Sequence, residues 1–558
     1  MRPKYLKSIM TDYTRKVGYQ QLGVALILLG LTAAYWIDFR APAVGLFHDD
    51  GIYLVTAKAL AEGKGYRIIS LPEEIAQTKY PPLYPMLLAG VWKLYPHFPQ
   101  NIPLLKLVST ISGIVWLGLC FFYIKDKSGS SSTAWGIVLL TAAAPWTIFL
   151  TVIPLSEMTF AAFCAGALLM FHRMEQQEYF DRNKALLAGT LAAAATLTRT
   201  AGFPLILAGS AILLFQKKFK AAAIVLASAV VLVSPWIWWT YSHRSSTSSA
   251  YDYYSQANYQ HWSLLQNFAW PQKELVIRRN LMSGFVAPAQ LLGMDASHAS
   301  GWIVPMCIVG VFVMIGYLRE LKTKINSLNV FLLLYIGIVL LWVWVPTRFL
   351  FPTLPFLLFF GYSAFQSFLR ALLLLKSESR APGWICLVIL VPIVAVSLSS
   401  ELRLARRNGA AGSAFFHYHN WGSMMAMFGW LGQNTSPDSV VMSTVDPLIY
   451  LYSGRKAVLA LEVNPVELGY AADKHYPIGT PSQIVNQILL NNVSYIVRTP
   501  NAGFYFGPYV GDYLDQFIDE VMSRAPGAVR LVEVGTDPQI RVYKLERNKL
   551  VSAFGNVR

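Results

Sequence analysis

Charge is scarce in this 558-residue chain: Asp, Glu, Lys and Arg make up only 14% of it, against 55% hydrophobic and 14% aromatic residues, with a mean hydropathy of +0.43. So little charge excludes the composition of a soluble enzyme, and so many aromatics exclude a disordered chain. Cysteine is scarcer still. Cys120, Cys164, Cys307 and Cys386 each fall inside an apolar run, where a thiol behaves as a small hydrophobe, so they supply neither a disulfide framework nor a CxxC metal site. Acidic residues are too few to balance the basic ones, 30 against 46, leaving a net charge of +16. In a soluble protein that surplus would suggest a nucleic-acid partner.

What the chain does have is apolar stretches near the length that crosses a bilayer, about 20 residues. They lie near 21–37, 104–124, 133–151, 158–172, 185–198, 200–215, 221–241, 301–318, 328–345, 349–369 and 383–400, and they predict about eleven transmembrane helices. The loops between them explain the charge. On the side shared by the N-terminal segment, basic residues outnumber acidic ones 19 to 7, whereas residues 38–103 and 242–300 together carry 10 and 9. Basic residues are retained in the cytoplasm, so the N-terminus is expected inside and residues 401–558 outside. The surplus is therefore a topology signal, and no nucleic-acid partner is expected. The first span follows a basic segment and has no small-residue cleavage site, so it reads as a retained anchor.

After Glu401 the pattern changes. β-rich runs at 439–444, 456–461, 493–499, 529–534 and 539–545 alternate with amphipathic helical stretches at 481–492 and 509–525, which predicts a small α/β domain with a mostly parallel sheet. This tail contains no GxGxxG or P-loop, so nucleotide binding has no support. The organisation expected is thus a polytopic α-helical membrane domain over 1–400, with a first external loop at 38–103, and a C-terminal extracytoplasmic α/β domain over 401–558. The loop at 242–300, rich in Tyr, Ser and Trp, is a second large external element. In the tail, Asp446 and the stretch 450–455 read as surface features only, and the tail itself as a lid or acceptor-docking domain.

Once the loop charges are assigned, only Lys106, Glu157, Arg199 and Arg348 remain in or beside the spans. Lys106 ends a span and is expected to snorkel to the interface. A charge in hydrocarbon costs at least 2.5 kcal/mol or so, and the other three all fall at outer span ends. The pair Asp49-Asp50 lies on the same side. Its local sequence, HDDGIYLVTAKALAEGKGYRI, puts Asp49 and Asp50 at a helix N-terminus, where carboxylates are favoured by the dipole and by free N–H groups. The following KYPPLYPMLLAG has prolines that fix an extended lead into a second short helix. Two interfacial helices lying on the bilayer are expected, presenting Asp49, Asp50, Lys79 and Tyr80. His48 reads as an interfacial polar residue.

These residues resemble the membrane glycosyltransferases of the GT-C superfamily, especially the branch containing protein O-mannosyltransferases and the aminoarabinose transferase that modifies lipid A. The matching elements are Asp49-Asp50, Tyr53, Ala59, Leu60, Gly63, Lys79 and Pro81-Pro82-Leu83-Tyr84-Pro85. Pro154-Leu155-Ser156-Glu157, Leu197-Thr198-Arg199 with Gly202, and Arg348-Phe349-Leu350-Phe351-Pro352 with Pro355 follow in order, so the resemblance covers about residues 1–400. Asp50 stands where the family commonly has Glu, and Tyr80 is inserted relative to the lipid A branch. Both features favour the protein-mannosyltransferase-like side or a separate bacterial branch.

The resemblance implies transfer of a hexosyl or pentosyl group from a polyprenyl-phosphate-linked donor to a protein, lipid or glycan acceptor at the outer face of a bacterial plasma membrane, among membrane lipids. A phosphate leaving group needs its charge held, a task suited to Lys79, Arg199 and Arg348. The attacking hydroxyl or amine needs a base, assigned to Asp49, with Asp50 and Glu157 orienting it or binding sugar hydroxyls; Tyr53, Tyr80 and Tyr84 are assigned to substrate. Direct displacement predicts inversion. No cofactor is required by the sequence, although Asp49 and Glu157 could share a divalent cation. Two other classes stay open: a secondary transporter, which would need paired repeats and mid-membrane sites, and a non-catalytic envelope assembly protein that binds through its tail.

Overall fold

A computed structural model describes residues 29–42, 44–45, 47–243, 251, 254, 266, 268–294, 300–342, 344–373, 392, 395–396, 399, 421–460, 481–499, 509–534 and 537–554. Long apolar sequence becomes helix wherever the sequence predicts a span within these residues. The helices are Ile102–Ser128, Ser131–Ala143 with Pro145–Thr151, Glu157–Gln176, Arg182–Thr198, Phe203–Phe215, Phe219–Ser242, Ile303–Thr323, Ser327–Leu340 and Leu354–Leu372. Among the described residues, four helices are long and apolar enough to cross a membrane, or five with the bent pair counted as one; the sequence predicts eleven spans. Of the predicted first span, residues from 29 onward are helical. The predicted span 383–400 lies almost wholly outside the described residues.

Three local features depart from the sequence reading. The stretch 133–151 is not one straight helix but bends by 70° at Ala144–Pro145. Proline forces the preceding residue out of the helical region, and Ala144 is accordingly extended (φ −64°, ψ 132°). Lys106 does not snorkel. It is buried, and its ammonium donates to the carbonyls of Phe39 (3.1 Å) and Ala41 (2.5 Å), closing the end of the helix that contains residues 29–39. Finally, the loop assigned to 242–300 contains a 22-residue helix, Trp270–Leu291, packed on Ile303–Thr323. Its Asn280 is buried and donates to three carbonyls at the end of Ser327–Leu340, including that of Trp342 at 2.6 Å.

Small residues let these helices approach closely, as is usual between membrane helices. A Cβ on Gly189 would stand 2.8 Å from the Val225 carbonyl oxygen of the neighbouring helix, and one on Gly202 would stand 2.6 Å from the Thr196 amide nitrogen. Gly202 thereby permits the tight turn Thr200–Gly202 that carries the chain past Arg199 into the next helix.

The tail forms a five-stranded sheet, β1 (Val440–Ser443), β2 (Lys456–Leu459), β3 (Val493–Arg498), β4 (Val529–Val534) and β5 (Arg541–Leu545), in the order β2-β1-β3-β5-β4. β1 pairs parallel with β2 and β3, but β5 runs antiparallel to both β3 and β4. The sheet is therefore mixed rather than mostly parallel. The link from β4 to β5 is too short for a crossover, which needs a dozen or more residues, so the two strands must be antiparallel.

Helix α1 (Asp49–Ala61) and the tail share a core. Its Tyr53, Leu54 and Ala57 pack into the membrane-helix core, while Ile52, Val55 and Ala59 pack with Val440, Met442, Val458 and Ile496 of the sheet. The expected interfacial helix lying open on a bilayer is thus a helix buried from both sides. A helix enclosed on two faces is apolar all round, and this one has no single polar stripe to betray it.

Candidate active site

Four segments distant in sequence meet around one guanidinium. Arg348, in the short helical turn Thr347–Leu350, donates from Nε to Glu157 Oε1 at 2.6 Å. Its Nη2 lies 2.5 Å from the same oxygen and 3.3 Å from Asp49 Oδ2. Arg199, at the C-cap of Arg182–Thr198, places Nη1 2.8 Å from Glu157 Oε1 and donates to Ser156 Oγ at 3.2 Å. Glu157 Oε1 is therefore the shared acceptor of two guanidiniums, while Oε2 is buried and without a partner among the described residues. Exposure falls from Arg199 (18%) and Asp49 (15%) to Arg348 (5%) and Glu157 (2%). Arg199 and Asp49 are the members a substrate can reach, and Arg348 and Glu157 lie beneath them. Aromatic faces complete the enclosure: Arg348 Cζ is 5.0 Å from the Phe47 ring centre and Arg199 Cζ 5.6 Å from that of Phe349.

Asp49 is held on its other side by Tyr80, whose hydroxyl donates to Oδ1 at 2.5 Å. Tyr80 rests edge-on against Tyr53 (4.8 Å between ring centres), and Tyr53 against Tyr84 (5.2 Å). Of the three tyrosines assigned to substrate, Tyr53 and Tyr84 are buried, with hydroxyls paired to Ser156 and Ser109, and only Tyr80 keeps part of its surface open. Lys79 is partly exposed, with Nζ 5.1 Å from the Tyr80 ring centre. The Gln77 side chain accepts the Lys79 amide at 2.9 Å and its carbonyl accepts Trp239 Nε1 at 2.9 Å, which ties this loop to the helix Phe219–Ser242.

The two adjacent aspartates have opposite characters. Burial pushes the Asp49 carboxyl up, but Arg348, Lys79 and the Tyr80 hydroxyl outweigh it and hold Asp49 below the ordinary carboxylate range. Asp50 is fully buried and pushed up to about 6 by that burial, against the pull of the Gly45, Phe47 and Gly51 backbone N–H groups. Gly45 N–H lies on Oδ2 at 2.5 Å and Phe47 N–H on Oδ1 at 2.9 Å. Proton affinity alone would choose Asp50 as the base. Geometry chooses Asp49, whose side chain is partly exposed, because Asp50 is fully buried and no substrate atom can reach it. Lys79 is pushed down to about 8 by burial, with Asp49 and Asp446 opposing.

Among the described residues no group of three or more His, Cys, Asp or Glu is placed to hold a metal. The Arg348 guanidinium bridges Asp49 and Glu157, the pair that the sequence offers to a divalent cation. Sequence reasoning missed two residues here. His48 and Asp446 are both buried and paired at 3.0 Å, the second being a tail residue that reads as surface. One signal was available: Asp446-Pro447 has the composition of a helix start, which is where the structure puts it.

No known family model matches this chain, and no curated protein sequence does. The likeness is structural. ArnT from Cupriavidus metallidurans, in a crystal structure bound to undecaprenyl phosphate, superposes with a TM-score of 0.53 at 14% identity, over 97% of this chain and 99% of that one. The Archaeoglobus fulgidus oligosaccharyltransferase in complex with zinc and sulfate gives 0.53 at 14% identity, over 85% and 67%. The same enzyme tethered to an acceptor peptide containing an NVT sequon gives 0.50 at 12% identity, over 93% and 74%. The chain therefore has the fold of the GT-C membrane glycosyltransferases, the superfamily its motifs resemble.

Proposed function

We propose that this chain is an integral membrane glycosyltransferase that moves a hexosyl or pentosyl group from a polyprenyl-phosphate-linked donor to a protein, lipid or glycan acceptor, with inversion. The observation that carries the reading is the cluster of Asp49, Glu157, Arg199 and Arg348, two carboxylates and two guanidiniums from four segments, with Lys79 beside it. The fold it shares with ArnT, solved with undecaprenyl phosphate, supports a lipid-phosphate donor. The topology that goes with this reading has the N-terminus in the cytoplasm, about eleven spans, and the cluster at the outer face of a bacterial plasma membrane.

In this reading the acceptor hydroxyl or amine attacks the anomeric carbon and loses its proton to Asp49, which is ionised and partly exposed. The bond from that carbon to the phosphate oxygen breaks, and its electron pair goes to the phosphate. The donor diester carries one negative charge and the released monoester approaches two, so the transition state gains charge on the leaving group. Asp49 and Glu157 balance Arg199 and Arg348, and Lys79 adds a positive charge beside them to meet it. Arg199 and Lys79 have the surface to touch phosphate; Arg348 holds Asp49 and Glu157 in register from beneath. Glu157 orients the cluster from beneath, its Oε1 accepting from both guanidiniums.

Cells with and without the protein test the reading by mass analysis. The expected result is loss of one sugar mass from the acceptor fraction together with accumulation of the lipid-linked sugar; unchanged acceptor and lipid pools would end it. The role of Lys79 has a pH signature. Its ammonium is present below about pH 8 and is lost as pH rises through that value, so donor affinity should fall across the same window. Lys79→Arg, which stays charged throughout, should bind donor independently of pH between 7 and roughly 9.5. Titrations of labelled donor measure both, and parallel pH profiles in the two proteins would take Lys79 out of the phosphate site.

A further inference from the structure

The turn that aims Asp49 is held by the tail. His48, immediately before α1, has φ +65° and ψ −51°, and the Asp49 N–H reaches back to the Phe47 carbonyl at 2.7 Å, a γ-turn of the rare positive-φ kind. Such a conformation persists only where its surroundings over-determine it. Asp50 holds the turn from within through Gly45 and Phe47, and the first turn of helix Asp446–Ser453 holds it from outside. Asp446, fully buried, places Oδ1 3.0 Å from His48 Nε2 and accepts the Tyr254 hydroxyl on Oδ2 at 2.6 Å. The Tyr254 hydroxyl in turn accepts the Leu459 N–H of β2 at 3.0 Å, so Asp446 is braced from the sheet. On either side of His48, two glycines fit against the next two tail residues. A Cβ on Gly51 would stand 2.7 Å from Pro447 Cβ, and one on Gly45 would stand 2.9 Å from Leu448 Cγ. Gly45 is also a donor to Asp50, so the contact at Leu448 and the bond that shapes the turn fall on the same residue.

We infer that Asp446-Pro447-Leu448 is a clamp that sets the position of the Asp49 carboxylate through His48, which makes the tail a working part of the transfer site rather than a lid or a docking module alone. Asp446 is a positioning residue: it touches His48 and Tyr254, not substrate. The inference rests on the reading of Asp49 as the base. Without the clamp His48 is released to the ordinary negative-φ region, the start of α1 swings, and Asp49 loses its alignment with Tyr80 and Arg348. A misplacement of about 1 Å costs on the order of 100-fold in rate.

Two measurements on the purified full-length protein test this. Assayed at about pH 6, where Lys79 stays charged without Asp446, Asp446→Ala should lower kcat by roughly 30- to 100-fold while leaving the donor KM within about 2-fold, and it should speed amide hydrogen exchange in peptides spanning 44–53. Gly51→Ala should lower kcat similarly by pressing on Pro447, and the double variant Gly51→Ala with Pro447→Gly, which removes the opposing Cβ, should recover most of the lost rate and protection. Unchanged exchange in Asp446→Ala, faster exchange with normal kcat, or a double variant no better than Gly51→Ala would each overturn the clamp. A tail that merely stabilises the fold would instead lower kcat, donor affinity and Tm together. If the wild-type protein transfers no sugar, the proposed function fails, and the exchange measurements still decide whether the tail holds the turn.

Discussion

Asp49→Asn is expected to lower kcat by roughly 100- to 10,000-fold, the range attributable to a positioned base, with little change in donor affinity. The amide has the size of the carboxylate and can still accept from Tyr80, and Glu157 still holds Arg348, so the cluster keeps its shape. What is lost is the group that takes the acceptor proton. Initial rates at saturating donor, set beside a donor binding isotherm, separate the two effects. A near wild-type rate would remove Asp49 as the base, and Asp50, fully buried with its oxygens on backbone amides, could not replace it without rebuilding the turn.

The second large effect is expected at Arg348. Its side chain is almost fully enclosed and is the only described group seen to bridge Asp49 and Glu157. Arg348→Ala leaves buried carboxylates short of their counter-charge, a change that typically costs about 3–5 kcal/mol. The variant should therefore show a clearly lowered Tm in detergent and weakened donor binding. Arg348→Lys separates fold from function. It restores a positive charge but not the planar fork that engages two carboxylates through Nε and Nη2, so it should recover much of the stability and little of the transfer rate. Unchanged Tm and donor affinity in Arg348→Ala would show that the cluster is incidental.

The part of this site that is legible in sequence is the part that costs most to build. Glu157, Arg199 and Arg348 stand out because a charge beside an apolar span demands a reason, and Asp49-Asp50 because the pair opens a helix. The structure brings Asp49, Glu157, Arg199 and Arg348 into direct contact. His48 and Asp446 were not legible for the opposite reason. His48 adjoins the Asp49-Asp50 pair and Asp446 opens a helix, so each has a local reason to be there, and only the folded chain buries them against each other. Trp270–Leu291 escaped notice in the same way, because Lys273, Glu274, Arg278 and Arg279 dilute its apolar face. The bend at Ala144–Pro145 and the antiparallel β4–β5 pair could both have been read directly, one from proline and the other from a link too short to cross over. The double burial of α1 could not, since a helix enclosed by membrane helices on one side and a sheet on the other has no pattern that says which partner takes which face.

The fate of a labelled donor decides between transfer and transport. Purified protein would be reconstituted with a polyprenyl-phosphate sugar labelled in both lipid and sugar, together with an extract supplying acceptors. Release of polyprenyl phosphate in one-to-one ratio with sugar bound to acceptor, abolished in Asp49→Asn, is the predicted result. Movement of intact donor or free substrate across the proteoliposome membrane, with the sugar–phosphate bond unbroken, would contradict it.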